Sequence, residues 1–300
     1  MRAGAAATVA AAVVVPLVRR RYRVPAPVTI AACAGGPLAL AVLRPRTKKR
    51  DVALFAMQMW AFTMVHELPY DDPERLRARL RTRYPIAIDR AIGGGRLPGV
   101  RLQRALSRLP RIKTVDRFLT WVHWLWFLEP YIALVFILVR HNERFPRTAR
   151  QLAVVFDLGC AVYFAAPTAP PWWASEQGLT GEEVRRIMIG VGKETWRSAW
   201  PAMYDTLGGN PWAAMPSLHF ATSVMAAISL AEAGRVEGAV GWGYALTLGF
   251  ALVYLGEHYV TDLAAGAALV AVVRRGEPLA EPLVLGVNRA LQRLERLASG

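Results

Sequence analysis

AMPSLHFATSVMAAISLAEAGRVEGAVGWGYALTLGFALVYLGEHYVTDLAAGAALVAVVR, residues 214–274, decides the fold. It holds three apolar runs, 214–233, 239–256 and 258–274, with only short gaps between them. A helix needs ~20 apolar residues to cross a bilayer core of ~30 Å, and each run approaches that length. Three such helices in succession go down, up and down. The start of the first run (Ser217, His219) and the start of the third (His258, Asp262) therefore fall on the same side of the membrane.

Further runs extend outward from this stretch at roughly 4–18, 25–43, 52–68, 118–139 and 151–167. The expected architecture is all-α, a polytopic membrane helix bundle of seven or eight spans. The apolar fraction of 54% is within reach of a soluble domain; its arrangement in long runs with basic gaps is not. The N-terminal MRAGAAATVAAAVVVPLVRRR has signal-peptide features, but a second apolar run follows at once, so it reads as a first membrane segment.

The net charge of +15 comes from arginine; Lys48, Lys49, Lys113 and Lys193 are the four lysines. In a chain of apolar runs this basic balance fits anionic headgroups and the positive-inside rule rather than nucleic acid. Residues 44–51 hold five cations and one anion, and 140–150 hold four arginines and one glutamate. The tail beyond residue 273 is also basic. The long loop 168–212 has four cations against five anions. The first three regions are expected in the cytoplasm and the loop outside, with the histidine motifs on the outer face of a bacterial plasma membrane. Arg19–Arg23 and 72–117 fit this scheme poorly. The segments 73–83 and 100–109 read as basic amphipathic helices lying on an anionic leaflet, and the tail 279–298 as a surface or partner-packing helix. Cys33 and Cys160 lie inside apolar runs and are expected to be small buried hydrophobes, with neither a disulfide nor a metal spacing.

Ionisable groups at the ends of membrane helices are costly, so each is a candidate for function. His141 reads as a solvated loop residue, His123 (in WVHWLWF) as part of an aromatic interfacial belt, and His66 as an interfacial cap. His258 and Asp262 differ. Four apart on a helix, they share a face. A carboxylate accepting from the ring Nδ1–H fixes the tautomer and leaves Nε2 free as nucleophile or base. In the other motif, Pro216 suits the first position of a helix. The free N–H groups and the Ser217 hydroxyl then face an anion, and His219 can protonate a leaving oxygen. Glu257 reads as a helix-favouring carboxylate, and the tryptophans 172, 173, 196, 200 and 212 as an interfacial belt or a lipid entrance.

With Pro216-Ser217-Leu218-His219 and Tyr254-Leu255-Gly256-Glu257-His258-Tyr259-Val260-Thr261-Asp262, one helical hairpin apart, the chain resembles the type 2 phosphatidic acid phosphatase superfamily. Within it, the chain is most similar to the branch of fungal inositol phosphorylceramide synthase and its actinobacterial relatives. A third element, Pro167-Thr168-Ala169-Pro170-Pro171-Trp172, resembles that family's first motif, and Gly93–Leu106 resembles the actinobacterial members. The resemblance implies a catalytic core of the six-helix phosphatase type over 118–274, preceded by membrane segments and a basic region (1–117) and followed by a cytoplasmic tail (275–300). It implies that His258 attacks phosphorus to form a phosphohistidine, that Asp262 orients it, and that His219 serves as acid and then base. Ser217 with nearby amides would bind the phosphate oxygens.

Typical family members carry a lysine and an arginine in the first element and an arginine six residues before the second histidine. Here that position is Leu252, and the first element ends in Pro171-Trp172-Trp173. The phosphate cations are therefore expected from the outer loop: Lys193 and Arg197 first, Arg185 and Arg186 after them. The substrate is expected to be a membrane lipid phosphate and the acceptor an alcohol such as inositol, or water, with no metal or other cofactor. A lipid phosphatase and a non-catalytic lipid carrier are the rival readings. A CDP-alcohol phosphotransferase lacks its aspartate-rich motif here, and a rhomboid-like protease lacks a Gly-x-Ser context.

Overall fold

The computed structural model describes residues 1–109, 112–207 and 210–299. It is a helical bundle without a named strand among those residues. The helices are α1 (Arg2–Tyr22), α2 (Ala26–Leu43), α3 (Lys48–His66), α4 (Pro73–Ala78), α5 (Arg83–Ile92), α6 (Pro98–Leu106), α7 (Ile112–Leu125), α8 (Glu129–Arg140), α9 (Phe145–Ala165), α10 (Pro171–Glu176), α11 (Ile187–Trp196), α12 (Trp200–Leu207), α13 (Leu218–Ala233), α14 (Arg235–Tyr254) and α15 (Val260–Ser299).

Four of these, α1, α2, α9 and α14, are long and apolar enough to cross a membrane. Lys113–Leu125 with Glu129–Arg140 makes a fifth if the pair is one span bent by 53°. The bend has a local cause. Pro130 sits in the first turn of α8; it has no N–H to give to the carbonyl four residues back, and its ring crowds that carbonyl, so a continuous helix does not run through from α7. The other anticipated segments fall on α3, α13 and the start of α15. Lys48, Lys49, Arg50 and Asp51 stand in the first turn of α3, α13 has 16 residues, and α15 carries Asp262 and Arg274 within its apolar stretch. Of the seven or eight spans expected, four or five thus meet the test of length and apolarity.

The core centres on α13. Ala221, Val224, Met225 and Ala227 are buried around its circumference, as in a helix enclosed on all sides. They pack with Leu152, Val155 and Phe156 of α9, Leu134 and Ile137 of α8, and Val270 and Val273 of α15. Chain direction then fixes the two ends of the bundle. The starts of α13 and α15 and the ends of α9 and α14 meet at one end; Gly234, Arg147 and Glu277 mark the other.

The two amphipathic segments pack in part on the protein itself. Leu76 of α4 packs on Ala169 and Trp212. Val100 of α6 packs with Ile86, Leu97, Ala174, Val184 and Tyr259. Leu76 and Val100 thus face the protein's own chain, while Leu109 of the second segment is exposed.

Candidate active site

The turn between α14 and α15 brings the second histidine into place. The N–H groups of Glu257 and His258 both donate to the carbonyl of Leu252, at 3.0 and 3.1 Å, closing α14. Gly256 makes the reversal with φ 81°, and a Cβ there would lie 2.7 Å from the carbonyl oxygen of Arg185. Left-handed geometry and close backbone approach both call for glycine. His258 therefore stands in the turn, and α15 begins only at Val260. Its contact with Asp262 crosses the junction of turn and helix; it is not the contact of two residues on one continuous helical face.

His258 Nδ1 lies 3.2 Å from Asp262 Oδ2, and that oxygen also accepts from the Tyr259 N–H at 2.9 Å. His258 is 5% exposed and Asp262 fully buried. A carboxylate accepts only, so Nδ1 carries the proton, and in the neutral ring Nε2 presents a lone pair. Nε2 in turn lies 3.3 Å from His219 Nδ1, which makes His219 the donor. The result is one hydrogen-bonded chain, His219 to His258 to Asp262, that joins both motifs.

Ser217 caps α13: its hydroxyl accepts from the Phe220 N–H at 3.3 Å, as a serine N-cap does. Pro216 thus precedes the cap instead of occupying the first helical turn. The Ser217 N–H donates to the Asp262 carbonyl at 3.0 Å, tying the start of α13 to that of α15. The Ser217 hydroxyl is fully buried and keeps its own proton to donate. The third element bridges the loops. Thr168 exchanges backbone hydrogen bonds with Trp212 and Ala214, both at 3.1 Å, and the Trp172 N–H donates to the Gly256 carbonyl at 3.2 Å.

The structure separates the expected cations. Lys193 and Arg197 are exposed, and among the described residues neither side chain contacts the histidine pair. Arg186 lies inside. Its guanidinium meets Glu257 in a two-pronged pair at 2.9 and 3.1 Å, stands 3.9 Å above the centre of the Trp172 ring, and donates to the Tyr204 hydroxyl. Burial pushes the Glu257 carboxyl up, but the Arg186 charge and hydrogen bonds outweigh it and hold Glu257 below the usual carboxylate range. Burial works against the charge on Arg186 too, and Glu257 reverses that, holding the guanidinium above its ordinary value.

Sequence reasoning passed over two neighbours of His219. The ring of His123 is 5.1 Å from that of His219, is buried, and has no partner for Nδ1 among the described residues. The ring of Trp126 is 4.1 Å from His219, and its N–H donates to Thr222 at 2.9 Å. Both come from the chain around the α7–α8 break. His123 lies in the last turn of α7 and Trp126 just past its end; the aromatic surroundings gave the sequence no signal of this contact. His66 lies one layer back, 5.6 Å from the Tyr163 ring, whose hydroxyl donates to the Pro216 carbonyl at 2.7 Å.

Comparison with known proteins agrees with this constellation. The family model of the PAP2 superfamily matches residues 88–274. The chain belongs to the PAP2 superfamily, the type 2 phosphatidic acid phosphatases, and so to a class of lipid phosphatases and phosphotransferases. Among curated proteins it is 23% identical over 242 residues to the inositol phosphorylceramide synthase catalytic subunit aur1 of Schizosaccharomyces pombe. That match takes in 78% of the chain and 55% of the relative, so the chain spans about half the length of the curated relative it matches. No solved structure matches.

Proposed function

We propose that this chain is a membrane-embedded phosphotransferase that moves a phosphate or phospho-alcohol group from a lipid to an acceptor through a phosphohistidine at His258. The observation that carries the reading is the hydrogen-bonded chain His219–His258–Asp262. It presents one nitrogen lone pair and one proton to the same point, 3.3 Å apart.

In the first half-reaction the substrate phosphorus enters between the two rings. The Nε2 lone pair of His258 forms the P–N bond, the P–O bond to the leaving group breaks, and the leaving oxygen takes the Nδ1 proton of His219. In the second half-reaction the acceptor hydroxyl attacks phosphorus, the P–N bond breaks, and the acceptor proton passes to His219. Asp262 holds the His258 tautomer throughout and stabilises the charge that forms on the ring. Phosphoryl transfer depends on positioning and on neutralising the oxygens. Arg186, the Ser217 hydroxyl and the free N–H groups at the start of α13 supply this; Lys193 and Arg197, at the rim, draw the anionic headgroup inward.

The donor is a membrane lipid phosphate, the acceptor inositol, another lipid hydroxyl or water, and the site faces the outer side of a bacterial plasma membrane. The core extends over 118–274, between the segments of 1–117 and the tail of 275–300. The test is release of phosphate or headgroup in detergent micelles from phosphatidic acid, isoprenyl phosphates and phosphatidylinositol, with and without added inositol. Turnover that requires an alcohol marks a transferase, and turnover in water alone a phosphatase. Lipid movement unaffected by loss of His258 contradicts the chemical reading in favour of a carrier.

A further inference from the structure

The turn 255–259 hangs between two anchors, and both come from the hairpin α5–α6. At its far side, α15 begins with N–H groups that have no partner within their own helix. Asp89 of α5 takes them. Its Oδ2 accepts from the Val260 N–H at 2.9 Å. Its Oδ1 accepts from the Thr261 N–H at 2.9 Å and the Thr261 hydroxyl at 2.5 Å. Asp262, the nearer carboxylate in sequence, is already engaged with Tyr259 and His258. A carboxylate at a helix start is favoured by the helix dipole as well as by these bonds. Asp89 is 1% exposed and comes from 171 residues away, so this cap is tertiary.

At the near side, Gln103 of α6 donates from Nε2 to the carbonyls of Tyr254 and Arg185, both at 2.8 Å, and accepts at Oε1 from the Arg185 N–H at 3.1 Å. One side chain thus holds the end of α14 and the residue just before Arg186. The hairpin turns tightly between the two helices: a Cβ on Gly93 would lie 1.9 Å from the Arg96 carbonyl oxygen.

We propose that α5–α6 is the positioning element of the active site, with Asp89 setting the place of His258 and Asp262 and Gln103 setting that of Arg186. Neither residue touches the reacting atoms. The proposal rests on the reading above that His258 and Arg186 meet the phosphoryl group. A reacting group misplaced by ~1 Å can cost about 10²-fold in rate. Asp89→Ala should lower kcat by about that factor with KM within about twofold of wild type, because ground-state lipid binding is left in place. Asp89→Asn keeps one acceptor oxygen and should fall between the two. Gln103→Leu should lower kcat as well, with a larger rise in KM through Arg186.

A readout independent of turnover accompanies this. Amide exchange of 255–262 in micelles should speed up in Asp89→Ala while α9 keeps its wild-type rate. Should Asp89→Ala not fold, Thr261→Val and Gln103→Leu carry the same test, each removing part of the clamp. Wild-type kcat in Asp89→Ala, or unchanged exchange at 255–262, overturns the proposal. A wild-type protein silent on every lipid overturns the reading of the site instead, and the exchange experiment still decides the clamp.

Discussion

The two ends of the bundle use charge in opposite ways. Around the histidines, the charged side chains are buried and each is engaged: Asp262 with His258, Glu257 with Arg186, Asp89 with the start of α15. At the other end, carboxylates are shared between arginines, some exposed and some, such as Arg50, buried. Glu277 meets Arg147 at 2.7 Å and Arg150 at 3.1 Å, Glu232 meets Arg274 and Arg147, and Glu295 meets Arg46 and Arg50. The side chains of Arg147 and Arg150 are almost half exposed. Exposed pairs of this kind contribute ~0–1 kcal/mol and are interchangeable, whereas a buried group stripped of its partner is costly. The first end has its geometry fixed by the cost of losing any member. The second is a basic collar in which several arginines share three carboxylates.

Breaking the histidine end should have the largest effect. His258→Ala should abolish turnover in a protein that still folds, and His219→Ala should cost about 10²–10⁴-fold, the usual contribution of a positioned acid and base. Wild-type activity in either purified variant contradicts the mechanism. Next comes the ion pair beneath the site. Arg186→Ala leaves Glu257 buried alone and should destabilise the fold by about 3–5 kcal/mol, read as a lowered unfolding temperature. The double change Arg186→Met with Glu257→Leu should recover much of that stability without recovering activity. This split separates the role of Arg186 in the fold from its role toward phosphate.

The Glu257–Arg186 pair also makes a prediction through pH. The folded pKa of Glu257 lies below its unfolded value, ~4.3. Its stabilisation is therefore fully present above that unfolded value and is lost as pH falls through the lower folded one. Wild type should lose stability in this acidic window more steeply than Glu257→Gln. The smallest effect belongs to the collar. Glu277 is held below the usual carboxylate range, chiefly by hydrogen bonds from Arg147; Glu277→Ala also strips the buried Gln151 amide of its acceptor, so it should cost about 1–3 kcal/mol and leave turnover unchanged.

The sequence displayed much of this arrangement. Apolar runs located the helices of the core, and two short motifs pointed to the residues that the structure joins in one hydrogen-bonded chain. What it hid was tertiary. Local spacing suggested a helical face for His258 and Asp262, but Gly256 places the histidine in a turn, where a contact of the same spacing forms by another route. Lys193 and Arg197 looked as eligible as Arg186; only folding brings the last beside Glu257 and over Trp172. The roles of Asp89 and Gln103 were not legible because their partners lie 82 to 172 residues away in sequence. Leu76 and Val100 are buried against protein, and burial cannot be read from a stripe.

The most direct test of the central claim is to follow the phosphorus. Purified protein in micelles is mixed briefly with a lipid carrying labelled phosphate, quenched in alkali and digested, and the label is sought on peptides. The account predicts an acid-labile, alkali-stable label on the peptide that contains His258, absent in His258→Ala and discharged when acceptor is added to wild type. Turnover in wild type with no label on that peptide at any time would contradict it.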